Sequence, residues 1–296
     1  MGAADIVPGV SGGTMAFITG IYDQLLSSIR AVDVHFVCLL LRGDVGSAWR
    51  HIDGGFLLAL LAGIATSIFS LARLIGWLLL HHPVPLWAFF FGLILASALV
   101  LLSHVKRWYV PTASALCVGL GISLLVALSS RLPLADGPVM VFLAGFLAIC
   151  AMILPGISGS FILVLLGMYS PVLVAIHQLD SLFLLVFAGG AACGLMAFSR
   201  LLHYLLHRFH QQTMALLTGF LLGSLVVVWP WKQAVAWVID SSGESKPARL
   251  LPVSPAEFSS IAGQDPQLLV CLVLMALGFA LVWVIESRFG GAARAP

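Results

Sequence analysis

Residues 151–176 read AMILPGISGSFILVLLGMYSPVLVAI, and residues 4–29 read ADIVPGVSGGTMAFITGIYDQLLSSI. Pro155, Gly156, Ser158, Gly159, Gly167 and Tyr169 of the first stretch answer to Pro8, Gly9, Ser11, Gly12, Gly20 and Tyr22 of the second. Leucine matched to leucine carries no information in an apolar chain. A shared PGxSG, followed at the same distance by GxY, does. Proline cannot donate the helical i→i−4 hydrogen bond, and glycine opens the backbone to dihedrals that other residues avoid. A helix starting at 138 must therefore break after 154 and restart near Ser158. The two arms, 138–176, would extend roughly twice the ~30 Å thickness of a hydrocarbon core as one helix. A helical hairpin that enters, turns at PGISGS (155–160) and leaves by the same face is the expected arrangement. A single broken span is the alternative. The first stretch would do the same at PGVSGG (8–13).

The sequence around these elbows is that of a membrane protein. Of its 296 residues, 61% are hydrophobic and 9% charged, and the mean hydropathy is +1.10. So few charges cannot cover a soluble protein of this length, and disorder would need the opposite balance. The five cysteines, Cys38, Cys117, Cys150, Cys193 and Cys271, are scattered in or beside apolar runs and read as small packing residues. A net charge of +2 gives no reason to expect nucleic acid. Six apolar runs are long enough to cross: 54–80, 85–103, 110–129, 181–207, 213–230 and 266–285. Between them, 30–53 mixes charges with apolar residues and is expected along the membrane surface. The Ser-, Pro- and charge-rich 231–265 is the sizeable extramembrane loop. No secretory signal peptide is visible.

The spans repeat as well. Gly63, Arg73, Gly92 and Ser97 answer to Gly190, Arg200, Gly219 and Ser224. Gly63/Ser67 and Gly190/Gly194, like Gly92/Ala96 and Gly219/Gly223, are small residues four apart, which let helix backbones approach closely. The expected fold class is an all-α polytopic membrane protein with an inverted repeat, each half a re-entrant helical hairpin plus three transmembrane helices. Repeat one is 1–130 and repeat two 131–296. A re-entrant hairpin adds no crossing, so each half crosses an odd number of times and the halves are inverted, with their elbows approaching at mid-membrane.

Irregular backbone at that depth is tolerated where it is buried in protein or lines a wet cavity. A restarting helix offers unpaired N–H groups and the positive end of its dipole, which suit an anion. Ser11, Ser158 and Ser160 would add hydroxyls, while Gly12, Gly13 and Gly159 would let a ligand reach the backbone. Arg73 and Arg200 lie inside spans with no acid at helical spacing in their own helix. Either they snorkel to the nearer interface or, as their equivalence suggests, they are paired anion ligands. Arginine keeps its charge and matches a phosphate bidentately.

Asp5, whose counterpart is Met152, would be a coupling acid or half of an ion pair. His203, His207 and His210 have a spacing that can bind metal, but they sit at a helix end, and no metal is expected. Tyr22 and Tyr169 would close the cavity or simply pack. Face X, holding the N-terminus, receives Arg30, Arg42, Arg50, Lys106, Arg107, Arg208, Arg288 and Arg294. The opposite face Y receives Arg131, Lys232, Lys246 and Arg249. Face X is therefore expected to be cytoplasmic.

At ADIVPGVSGGTMAFITGIY and ILPGISGSFILVLLGMY the sequence resembles a bacterial membrane family, the polyprenyl-phosphate transporter (PopT) family, formerly domain of unknown function 368. The resemblance extends over essentially the whole chain. It implies a flippase in the bacterial inner (cytoplasmic) membrane, both termini cytoplasmic, that returns undecaprenyl phosphate for reuse in cell-envelope and peptidoglycan synthesis. The partners implied are the polyprenyl phosphate lipid, the membrane and a proton or sodium gradient. No cofactor and no enzymatic activity are implied. One departure is the short arm ahead of Pro8, seven residues against 17 ahead of Pro155 in the second hairpin. The family usually carries a further helical stretch there, so the native chain is expected to start upstream of Met1. An ion-coupled transporter of a small soluble anion is the alternative. An intramembrane lipid phosphatase lacks the clustered nucleophile and acid that hydrolysis needs.

Overall fold

Glycines at helix crossings set the architecture. In the computed structural model, residues 2, 12–128, 137–154, 156–239, 245–263 and 265–289 are described. Three long spans belong to the first half: α5 (Gly54–His81), α6 (Pro83–His104) and α7 (Val110–Leu128). In the second half their counterparts are α11 (Ser181–Arg208), α12 (His210–Ser224) and α14 (Leu268–Phe289). The middle helix of each half packs on the last helix of the other, α6 on α14 and α12 on α7. A Cβ on Gly92 would lie 2.0 Å from the Met275 carbonyl oxygen, and one on Gly219 would lie 2.3 Å from that of Leu116. No side chain fits at either crossing, so the backbones themselves are in contact. α6 and α12 also touch each other and hold the centre of the core, with Ile94, Leu101, Leu217 and Leu221 fully buried. The outer helices leave Leu58, Phe69, Leu185, Leu269 and Trp283 exposed, as lipid-facing surfaces do.

Among the described residues, five helices are long and apolar enough to cross a membrane. The sixth expected span, 213–230, is different. Its helix is α12, which ends at Ser224 and continues as tight turns to Val228. At about 1.5 Å per residue it is shorter than the hydrocarbon core. It is enclosed by α6 and α7 rather than by lipid, so its length need not match the bilayer.

The second hairpin is built as α8 (Pro138–Ile153), an elbow, α9 (Gly159–Leu165) and α10 (Tyr169–Gln178). Leu163 of α9 joins Val141, Ala144 and Ala148 of α8 in one cluster, so the exit arm folds back along the entry arm. Gly145, Gly190 and Gly194 seat α8 against α11. In the first half, α1 (Gly12–Ile18) and α2 (Tyr22–Arg30) follow the elbow. The GxY of each half turns out to be a second break. Gly20 and Gly167 have φ of +73° and +71°. The amides of Ile21 and Met168 donate back to the carbonyls of Ala16 and Leu163, at 3.0 and 2.8 Å. These are equivalent positions, and the bonds are those of a glycine-terminated helix.

Residues 30–53 form two short helices, α3 (Val34–Leu41) and α4 (Val45–His51). Asp33 and Asp44 cap them by accepting from the Phe36 and Ser47 amides. Val34, Leu41, Val45 and Trp49 are left open, the pattern of helices seated at an interface. The loop after α12 holds a two-stranded antiparallel hairpin, β1 (Lys232–Ile239) with β2 (Ser245–Pro252), and then α13 (Pro255–Ala262). It is anchored by indoles. Trp229 and Trp231 donate to the carbonyls of Val253 and Pro266, both at 2.9 Å. The Lys232 ammonium lies 3.8 Å from the centre of the Trp87 ring and donates to the Val227 carbonyl.

Candidate functional site

The start of α1 meets the second interruption. A Cβ on Gly13 would come to 2.5 Å from the Ile153 carbonyl oxygen, at the end of α8. Only glycine fits, and it brings the first-half backbone directly against the second elbow. Gly12 and Gly13 are both buried there. The Tyr22 hydroxyl donates to the same Ile153 carbonyl at 3.0 Å. A terminated helix leaves its last carbonyls without intrahelical partners, and this phenol supplies one from the other half of the chain. On its far side the second elbow presses on α12. Gly156 has a φ of +86°, and a Cβ there would lie 3.0 Å from Leu221 and Phe220 backbone atoms. A side chain would be excluded by conformation and by space together.

Ser158 precedes α9 with an extended backbone and does not cap it through its side chain. Its hydroxyl pairs instead with that of Ser160 at 2.8 Å. Gly159 lies against α8, where a Cβ would be 2.6 Å from the Ala148 carbonyl oxygen. A void of about 20 Å³ opens beside Gly156, Ile157 and Ser158, closed by Ser123 and Ala127 of α7 and by Val227. That is room for one water and not for a phosphate. Ser11 and Asp5, with both elbow prolines Pro8 and Pro155, lie outside the described residues.

The arginines are placed differently from each other and away from this void. Arg73 is exposed on α5 and makes no hydrogen bond or ion pair with the described residues. Arg200 is exposed on α11, and its Nη2 donates to the Val32 carbonyl at 3.3 Å. It faces a cleft of about 540 Å³ lined by Arg30, Asp33, Arg200, His203, Tyr204 and His207. The void at Ser158 and this cleft share no residue. They lie toward opposite ends of α12: the second elbow touches Leu221, whereas the cleft lies on the last turns of α11, just before α12 begins.

Three members of the cleft carry ionisable groups that a reading of the sequence set aside. Arg30 counts there as a loop charge, and His203 and His207 as possible metal ligands. The two imidazole centres are 4.2 Å apart, but no group of three or more His, Cys, Asp or Glu converges among the described residues. Asp33, on the rim, accepts from the Phe36 amide, and this bond, with His51 close by, holds its carboxyl below the ordinary range.

Residues 1–246 match a protein-family model described as VCA0040-like, undecaprenyl phosphate translocase-like. A Vibrio cholerae protein named polyprenyl-phosphate transporter is 46% identical over 287 residues, 97% of this chain and 93% of that relative. A Staphylococcus aureus protein of the same name is 33% identical over 249 residues, 78% of this chain and 83% of that one. No solved structure matches.

Proposed function

The chain belongs to the undecaprenyl phosphate translocase-like family, and from that premise we propose how it works on its lipid. It is a multi-pass membrane protein that transports polyprenyl phosphate, and it is not an enzyme. The carrier is undecaprenyl phosphate, returned from the outer to the cytoplasmic leaflet of the inner membrane for envelope synthesis, with face X and both termini cytoplasmic. The observation that carries this reading is the 46% identity across nearly the full length.

Physical chemistry defines the task. The prenyl tail is already at home in hydrocarbon, while a bare phosphate there is prohibitively costly. The protein needs to shelter the headgroup alone. Ser11, Gly12, Gly13, Ser158, Gly159 and Ser160 form the polar crossing point, and Arg73 and Arg200 serve the headgroup on either side of it. Asp5 is the coupling acid for a proton or sodium gradient. The halves, 1–130 and 131–296, are inverted copies. In support, α6 and α12 pack on each other's third helices through the equivalent Gly92 and Gly219, and the turns at Gly20 and Gly167 make the same hydrogen bonds. One pair of equivalent contacts is unequal: α2 packs along α11, whereas α10 does not pack along α5. The narrow void beside Ser158 fits a conformation closed at the crossing point.

Proteoliposomes test the proposal. A labelled polyprenyl phosphate should cross the bilayer faster with the protein than without it, and the corresponding prenol should be unaffected. Movement of inorganic phosphate without the lipid would overturn the reading in favour of a soluble-anion carrier. Release of phosphate from the lipid would overturn it in favour of hydrolysis.

A further inference from the structure

The cleft between α2 and α11 is lined by two guanidiniums and one carboxylate. Arg30 ends α2 and makes no hydrogen bond or ion pair with the described residues. Arg200 uses one N–H on the Val32 carbonyl. A guanidinium has five donors in a planar fork, so most of this one remains available. Asp23 of α2 acts electrostatically on His203, and the acid lining the cleft is Asp33. It accepts from the Phe36 amide and lies 3.3 Å from the His51 ring, a pair that is ionic only when the imidazole is protonated. His203 and His207 stand one turn apart and add ring nitrogens on the same face. About 540 Å³ is ample for a phosphate with the first carbons of its ester.

The surroundings indicate what the ester carries. Tyr204 and Leu201 are 57% and 50% exposed beside Arg200. Val34 and Val37, just past Asp33, are 79% and 49% exposed. Cations lining a cleft with apolar flanks suit a phosphate whose substituent lies in the membrane. We propose that this cleft is a phosphomonoester site, a station at the end of α11 where Arg30, Arg200, His203 and His207 hold the headgroup outside the crossing point. The proposal rests on the transport reading and adds to it a second location for the same headgroup.

Binding to the full-length protein in detergent, measured apart from transport, tests this. The probes are a short-chain polyprenyl monophosphate, the matching prenol and inorganic phosphate. The variants are Arg30→Gln, Arg200→Gln and, as a control on the same face, Arg107→Gln. Each cleft variant should weaken binding of the lipid monophosphate about tenfold while keeping the melting temperature of the parent, and Arg107→Gln should bind as the parent does. The prenol should not compete. Inorganic phosphate should compete weakly; if it binds as tightly as the lipid, the lipid assignment is overturned and the free anion is the ligand. Unchanged lipid binding in both Arg30→Gln and Arg200→Gln overturns the site. A parent protein that binds the lipid with this dependence yet moves none of it in liposomes supports the cleft and overturns the transport reading instead.

Discussion

Lys232, a half-buried residue, has its ammonium held between the Trp87 ring and the Val227 carbonyl. Burial pulls its pKa down to about 7. In an unfolded chain a lysine titrates near 10.4. Between those values the unfolded state carries a proton that the folded state lacks, so raising the pH across that window favours folding. Below pH 7 both forms are protonated and the contribution is flat. The melting temperature of the parent should therefore rise from pH 7 to pH 10 relative to Lys232→Met. Parallel profiles for the two proteins would show that Lys232 does not titrate there. Individual residues were unequally legible in the sequence. Arg200 stands out at once as a charge inside an apolar run, yet its neighbours do not. Val32 and Arg30 reach it because α2 docks on α11, and no local spacing encodes a contact across 168 positions. Gly13 was legible as an opening for a ligand, and in this structure it admits the backbone at Ile153.

Helices show the same division. The long spans follow directly from apolar length, with ends within a few residues of those expected. The helix of residues 210–224 departs from that rule because protein, not lipid, surrounds it, and only the assembled bundle reveals this. Small residues four apart were legible as packing motifs, but their partners were not. Gly190 meets the Phe142 backbone, whereas Gly63, its equivalent, has nothing within 4 Å. The contrast gives opposite signs for one substitution. Gly219→Ala would drive a methyl into the Leu116 carbonyl and push α7 from α12, a cost of about 1–3 kcal/mol. Gly63→Ala meets no obstacle and gains helix propensity of up to about 1 kcal/mol. Thermal melts of the purified variants should move down for the first and up for the second. A shared direction would refute the assigned crossing.

For the molecule as a whole, the decisive quantity is which loops share a side of the membrane. The surface helices of residues 34–51 and the hairpin loop of residues 232–262 are expected on opposite faces. In a chain whose five cysteines are replaced, Ser260→Cys should react with an impermeant maleimide in intact cells. Gly46→Cys should react only after the membrane is opened. Labelling of both from outside would reject the inverted arrangement. The correspondence of the halves in sequence is carried by the shared PGxSG and GxY. Their inequality is not: it resides in α2 lying along α11 while α10 stays away from α5.

The phenol of Tyr22 has a mechanical consequence. Its partner, the Ile153 carbonyl, belongs to a helix end that has no other turn to bond with, and the site is buried. Pulling the two halves directly apart would take the phenol from that carbonyl in a dry interior, at a cost of about 1–3 kcal/mol. Rotation about that point keeps the bond. The tyrosine thus acts as a pivot pin: it leaves the halves free to rock while resisting their separation, and a lipid headgroup would pass beside the pin rather than through a gap opened at it.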